Sequence, residues 1–451
     1  MKTIGRYIVR GQLGRGGMAS VFKVEMPVTG KMVAMKQLKP NEFLTALVGM
    51  DQLRELFTAE AATMANLRHP HLVDVWDFDE ADGRPFYIME YFCNNLGVMM
   101  GETYETERPS RVLPVEKAAR YIRQTLHGLA RLHHAGIIHR DIKPFNLLVT
   151  DQDTVKICDF GLSKLRGETF RGPENLKVGT PWYAAPEQEE DPDAADERAD
   201  LYAVGVTLYR MLTGRLPMES PAPPSRLNPD LDTDWDEMVL RSIALRPGAR
   251  YPKASEMLAA LADCLDRWRD RRERTCALPE TAASSEPPPE PLSRPPRSQP
   301  IKVRPQVARE RFGLDELWRP APYIRNDFEE TQAGTVYDRT TGLTWERAGS
   351  EYPVTWEEAH NSIDQMNRNR FAGFRDWRMP TVDELRTLID PPPQGTSLCI
   401  QPVFDPTQIW LWSCDRRSHI AAWYVSLDLG FVAAHDFTGY YYVRGVRMGK
   451  N

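Results

Sequence analysis

Eight prolines fall between Pro279 and Pro300, in the stretch TCALPETAASSEPPPEPLSRPPRSQP. Proline fixes φ and lacks a backbone donor, so neither a helix nor a sheet runs through such a stretch. With few large apolar side chains it also cannot bury enough surface to offset its ordering entropy. Folding must therefore happen on either side of it. Residues 273–319 are expected to be an extended, polyproline-like spacer, with docking of a proline-reading partner as a secondary role. At about 3.1 Å per residue the proline stretch spans roughly 70 Å.

The 451 residues are enough for two or three domains, and 41% hydrophobic with 27% charged residues fits soluble globular material. The net charge of -6 argues against a general nucleic-acid binder, which would carry a basic excess. Six cysteines without a C-x-x-C pair exclude a zinc ribbon and a disulfide scaffold, and suit a reducing compartment. The best apolar run, Leu201 to Tyr209, is about half of what a bilayer core needs. No secretory leader is legible at MKTIGRYIVRGQLGRGG, so the expectation is a cytoplasmic chain without membrane or nucleic-acid partners. Seven of the 11 tryptophans follow residue 300, so the two flanks differ in composition. The expected division is 1–272, the linker 273–319, and 320–451.

The first flank opens with alternating apolar runs, YIVRGQLG, SVFKVEM and MVAMKQLK, which read as strands. Leu53, Phe57, Glu60, Met64 and Leu67 have helical spacing, and that helix stops before His69-Pro70. DVWDF and PFYIMEY are strands again. After Val115 the pattern turns helical, through EKAARYIRQTLHGLARLHHAG, DLYAVGVTLYRMLTG, WDEMVLRSIAL and ASEMLAALADCLDRWRD. A small strand-rich lobe thus precedes a larger helical one.

Gly14-Arg15-Gly16-Gly17-Met18-Ala19-Ser20-Val21 sits at a turn between two predicted strands. Missing side chains there let backbone N–H groups approach phosphate oxygens. No GK[ST] follows, so it is not a Walker loop, and alone it is equally a glycine hairpin. Lys36, on the strand VAMK, needs a carboxylate partner. Glu60 is preferred over Glu55 because of its spacing from the Leu67–Pro70 turn, and the pair would position an ATP phosphate. In His139-Arg140-Asp141-Ile142-Lys143-Pro144-Phe145-Asn146, Asp141 can accept the proton of an attacking hydroxyl and Lys143 can stabilise the transferred phosphoryl group. Asn146 can hold a metal, as can Asp159 of Asp159-Phe160-Gly161, thirteen residues later.

With these motifs in order the chain resembles the eukaryotic-like (Hanks-type) serine/threonine protein kinases over about residues 5–270. GTPWYAAPE (179–187), Asp200-Leu201-Tyr202-Ala203-Val204-Gly205 and Arg250 extend the match. The resemblance implies a bilobal kinase fold, ATP with Mg or Mn, and protein substrates. It also implies that Leu13, Gly14 to Met18, Val21, Ala34, Met89 as gatekeeper, Glu90 to Phe92 as hinge, and Leu148 surround the nucleotide. Asp200 would brace the catalytic loop and Arg250 would pair with Glu187. Ala19 stands where the family has its third glycine, which implies a modest effect on nucleotide affinity. Lys143 and Thr180 point to serine/threonine substrates. Arg140 before the base implies activation-loop phosphorylation, for which Thr169 between Arg166 and Arg171 is the expected site, with Thr180 structural. The acidic run from Glu187 to Glu197 reads first as a solvated loop, and second as a face favouring basic substrates.

Beyond the linker, TVYDRTTGLTW reads as two strands around a Thr341-Gly342 turn, followed by the helix WEEAHNSIDQMNRN. FAGFRDWRMPT, WLWS and VRGVR make residues 322–449 resemble the Lcl C-terminal family, related in pattern to C-type-lectin-like and formylglycine-generating-enzyme-like folds. The whole is then α+β and multidomain. Most of the tryptophans are expected in a core, and Cys399 and Cys414 as unreactive buried thiols. The last domain is read as sensing or docking an unknown ligand or partner. The alternative for the chain as a whole is a nucleotide-binding pseudokinase scaffold.

Overall fold

The apolar runs that open the chain pair, in the computed structural model, as one antiparallel sheet. Its strands are β1 (Thr3–Ile4), β2 (Tyr7–Arg15), β3 (Ala19–Glu25), β4 (Met32–Leu38), β5 (Val75–Ala81) and β6 (Arg84–Met89), in the order β1-β2-β3-β4-β6-β5. Between β4 and β5 lie α1 (Glu42–Val48) and α2 (Met50–Ala65), separated by Gly49 at φ 86. α2 buries Leu53, Phe57, Glu60, Ala61 and Met64, so its one acidic core residue lies on the apolar stripe. The structure describes residues 2–102, 108–159, 164–165, 182–190, 195–218, 220–276, 289–331, 334–391 and 398–450.

The helical part of this unit follows β7 (Asn94–Asn95) and α3 (Leu96–Met100). It is built on α4 (Val115–His134), with β8 (Ile137–Ile138), β9 (Leu147–Val149), β10 (Val155–Ile157) and β11 (Lys164–Leu165) after it. Next come α5 (Pro186–Glu190), α6 (Glu197–Thr213), α7 (Pro224–Leu227), α8 (Thr233–Ser242) and α9 (Ala254–Cys276). α6 is buried almost all round, as a helix at the centre of a lobe should be. Its Gly205 admits α8 so closely that an added Cβ would lie 2.4 Å from Ser242 Oγ. The loop after α2 is tied to the helical part through Val73 N–H on Ile157 O (3.0 Å) and Ile157 N–H on His71 O (2.9 Å).

The second compact unit is Glu273–Asn451. It contains α10 (Pro305–Arg311), β12 (Phe328–Glu330), β13 (Thr335–Asp338), β14 (Leu343–Glu346), α11 (Trp356–Arg368) and α12 (Val382–Leu385). β15 (Trp410–Arg416), β16 (Ala421–Ser426), β17 (Phe431–Asp436) and β18 (Val446–Met448) complete it. The strands form two antiparallel sheets, β12-β13-β14-β18 and β15-β16-β17. α11 and α12 begin with reciprocal capping boxes, Thr355/Glu358 and Thr381/Glu384. Trp345, Trp377, Trp410, Trp412 and Trp423 are buried, so five of the seven late tryptophans fill this interior, while Trp318 packs against the core from its edge.

One expectation needs correction. Residues 273–319 are not a free spacer throughout, because residues 273–276 end α9 and residues 289–319 pack into the second unit. Ile301 and Val303 dock beside Arg416, and Val303, Ala308, Phe312 and Leu314 enter the core. Arg297 donates to the fully buried Asp415 (3.0 and 2.7 Å) and to Asp383 (2.8 Å). The proline density hid a second pattern. Apolar residues at 301, 303, 308, 312 and 314 follow it immediately, and they have a core to join.

Candidate active site

Three elements bring their charges to one point. Lys36 on β4 donates to Glu60 Oε1 of α2 (2.7 Å) and to Asp159 Oδ1 (2.7 Å). Of the two carboxylates weighed for Lys36, Glu60 is the one in contact. Burial alone would lower the Lys36 pKa, but the Asp159 and Glu60 charges outweigh it and hold it well above its usual range. Burial raises the Glu60 carboxyl against the pull of Lys36. The Lys36 ammonium holds Asp159 down at about 2, against the opposing effect of burial. Tyr87 on β6, which the sequence reading missed, donates its hydroxyl to Glu60 Oε1 (2.9 Å). Tyr87 pairs with Lys36 across the sheet and so shares its face.

The loop after β8 carries the second group. Lys143 Nζ donates to Asp141 Oδ2 (2.7 Å). Asn146 Nδ2 donates to Asp141 O (2.8 Å) and to Asp141 Oδ2 (3.0 Å), which leaves its amide oxygen as the acceptor end. Arg140 and Asp159 hold positive φ, 68 and 65, a costly backbone for a residue other than glycine. Fully buried Asp200 secures the first of these. Its Oδ1 accepts Arg140 N–H (2.7 Å), and its Oδ2 accepts His139 N–H (2.9 Å) and contacts His133 Nε2 (2.8 Å). Despite burial these bonds, led by that from His133, lower the Asp200 pKa.

Arg250 donates both Nη groups to Glu187 (2.6 and 2.8 Å), and Gln188 Nε2 donates to Arg140 O (2.7 Å). The segment 182–190 is thus tied to the loop at Arg140 and to Arg250. Tyr183 OH reaches Glu102 (3.0 Å), which is paired with buried Arg210. Neither Gln188 nor Glu102 was singled out from sequence, where a polar residue near a motif carries no distinguishing pattern. Thr169, Thr180, Phe160 and Gly161 lie outside the described residues.

The slot between the lobes is framed as follows. β3 and β4 set Val21 opposite Lys36, and β4 and β6 set Ala34 opposite Met89, so all four share one sheet face. Gly14 and Arg15 end β2, and Gly16 to Met18 make its turn into β3, closed by Gly16 N–H on Ala19 O (2.8 Å). A Cβ on Gly14 would meet nothing within 4 Å among the described residues. Leu13 on β2 is exposed, and Leu148 on β9 is half-buried. At the expected hinge Glu90 is held by Asp74 N–H (3.1 Å) and Lys156 Nζ (2.7 Å), with Phe92 beneath the same lysine. Asp159 and the amide oxygen of Asn146 are hard oxygen donors of the kind that a divalent magnesium or manganese ion takes.

A family profile described as Protein kinase domain matches residues 7–278. The chain belongs to the protein kinase family. A second profile, Lcl C-terminal domain, matches residues 334–447 of the kinase. Among curated relatives, the serine/threonine-protein kinase pkn3 of Myxococcus xanthus is 34% identical over 310 residues, covering 63% of this chain and 54% of its own length. PksC of Streptomyces coelicolor is 36% identical over 275 residues, with coverage of 56% and 48%. PrkC of Bacillus subtilis is 29% identical over 289 residues, with coverage of 60% and 42%. The chain spans about half the length of the curated relatives it matches. A solved double mutant of the Mycobacterium tuberculosis PknI kinase domain aligns over 58% of this chain and 96% of its own, at 28% identity and a TM-score of 0.44. Family members use ATP with a divalent metal. No helix among the described residues is long and apolar enough to cross a membrane.

Proposed function

We propose that the chain is an active serine/threonine protein kinase that moves the γ-phosphate of ATP to protein hydroxyls, with Mg or Mn as the metal. The observation that carries this reading is the contact between Lys36, Glu60 and Asp159, together with Asp141 held by both Lys143 and Asn146. A chain that only binds nucleotide has no need to keep base, cation and metal ligands together.

Each residue has a task. Lys36, fixed by Glu60, presents its ammonium to the nucleotide phosphates. Asp141 takes the proton from the attacking hydroxyl at a carboxylate oxygen. Lys143 steadies that carboxylate beforehand and the transferred group afterwards. Asn146 and Asp159 hold the metal, which neutralises phosphate charge when bound. Leu13, Gly14, Arg15, Gly16, Gly17 and Met18 cover the phosphates, and Val21, Ala34, Met89, Glu90, Phe92 and Leu148 receive the adenine. Asp200, Arg140, Glu187 and Arg250 keep the loop and the substrate segment in register. Thr169 is the autophosphorylation site, and the unit from residue 320 onward senses or docks a ligand or partner that controls the kinase.

Transfer of labelled phosphate from ATP to a generic basic protein tests this. The full chain transfers, and Asp141→Asn lowers the rate by about 10²–10⁴ fold, the worth of a positioned general base. Equal rates in the two proteins would refute the assignment of Asp141.

A further inference from the structure

The turn Pro144–Asn146 is tied to the base at both ends. Lys143, just before it, and Asn146, at its end, both donate to Asp141 Oδ2 (2.7 and 3.0 Å). Phe145 is the middle residue, half-buried between buried Pro144 and buried Asn146. We propose that Phe145 determines substrate specificity, and that the kinase prefers peptides with a large apolar side chain close in sequence to the phosphorylated hydroxyl. The proposal rests on the kinase reading and adds a substrate class to it.

The ring has a built seat. Gly97 of α3 lies against it, and a Cβ added there would stand 2.8 Å from Cγ, Cδ1 and Cε1 of Phe145. Real Cβ atoms do not sit so close, so glycine at 97 is what lets the ring rest on the helix backbone. α3 is itself held in place. Asn95 Oδ1 caps it by accepting Val98 N–H (2.9 Å), and Arg111 donates to Val98 O (2.6 Å) and Met99 O (2.7 Å). Asn95 pairs with Leu148 across β7 and β9, which joins α3 to the strand that follows the turn. Ring, turn and helix are thus positioned before any substrate arrives, which spares part of the ordering cost of binding.

The charge of this wall selects the substrate. α3 reads Leu96-Gly97-Val98-Met99-Met100, without a charged residue. Glu102, beyond its end, is paired with buried Arg210 and accepts Tyr183 OH (3.0 Å), and its side chain is 7% exposed. It is spent within the fold and gives a basic peptide little to pair with. Lys143 gives its ammonium to Asp141, so an acidic side chain gains little either. What the wall offers is apolar. Val98 is 40% exposed, and Trp182, beside the Tyr183 that Glu102 holds, is 58% exposed. A half-buried aromatic fixed in a seat is the kind of residue that dominates a peptide contact, and burying apolar area against it is favourable without any charge.

The test presents the full chain, with magnesium and labelled ATP, to a positional-scanning peptide library. Each peptide has one serine or threonine acceptor, and each flanking position in turn holds a fixed residue. At one flanking position or more, Leu, Ile, Met or Phe should be taken at least about fivefold better than Arg, Lys, Asp or Glu. Phe145→Glu should move the preference at that position to Arg or Lys, whereas Phe145→Leu should keep it. For the preferred peptide the Phe145→Glu variant should raise KM by about tenfold, with KM for ATP within about twofold of the wild type. Selectivity is a ratio read within one protein, so a lower folded fraction does not alter it. Apolar residues favoured at no position would overturn the proposal. Selectivity that Phe145→Glu leaves unchanged would also overturn it, by putting the selection on other residues. Transfer to no peptide at all would overturn the kinase reading and this proposal with it, whereas transfer without apolar selection overturns this proposal alone.

Discussion

Lys36 shares its ammonium between two carboxylates, and this has a consequence for acid stability. With Asp159 held at about 2 in the folded chain and near 3.9 when unfolded, the group contributes stability above about pH 4. That contribution is lost as pH falls from about 4 to about 2. Lys36→Met removes it, so the variant should lose less stability than the wild type over that window, as followed by the unfolding temperature of the first unit. An identical acid limb in both proteins would contradict the assignment. Glu187→Ala acts differently, by leaving the Arg250 side chain fully buried without its carboxylate. A cost of about 3–5 kcal/mol is expected from denaturant unfolding, as for other broken buried pairs. The pairing Lys36–Glu60 was legible because strand and helix periodicities put both residues on buried faces. Tyr87, His133 and Gln188 were not, since their roles depend on hydrogen bonds between segments far apart in sequence.

Elements in the helical lobe are positioned by close approach as much as by apolar area. Gly205 lies on α6, the same helix whose first turn carries Asp200, and it lets α8 come within contact of the backbone. A Cβ there meets Ser242 Oγ at 2.4 Å and Ile243 Cγ2 at 2.9 Å. Gly205→Ala gains helix propensity of about 1 kcal/mol but must push α8 away, at a typical cost of about 1–3 kcal/mol. The expected net effect is a lower unfolding temperature, with activity reduced through displaced Asp200. A stabilised variant would show that α8 yields freely. The helices themselves were readable from spacing and caps. Which glycine admits a neighbour was not, because a helical glycine looks the same in sequence whether it faces solvent or another helix.

At the scale of the whole chain, the instructive difference is the linker. Composition marked 273–319 as a spacer, yet its second half supplies Val303, Ala308, Phe312 and Leu314 to the core of the second unit. Proline content reports what a segment cannot do locally and is silent on what tertiary contacts make of it. A fragment of residues 289–451 should therefore fold cooperatively, while 320–451 should not, because it exposes that core and strips Arg297 from fully buried Asp415. Circular dichroism melts of the two fragments decide this. Equal transitions would return 289–319 to the status of a spacer. The central claim, an active kinase, is tested most directly by intact-mass measurement after incubation with magnesium and ATP, beside an Asp159→Asn control. Mass steps of one or more phosphates in the wild type alone are predicted. Steps in both proteins, or in neither even when a generic protein substrate is supplied, would contradict it.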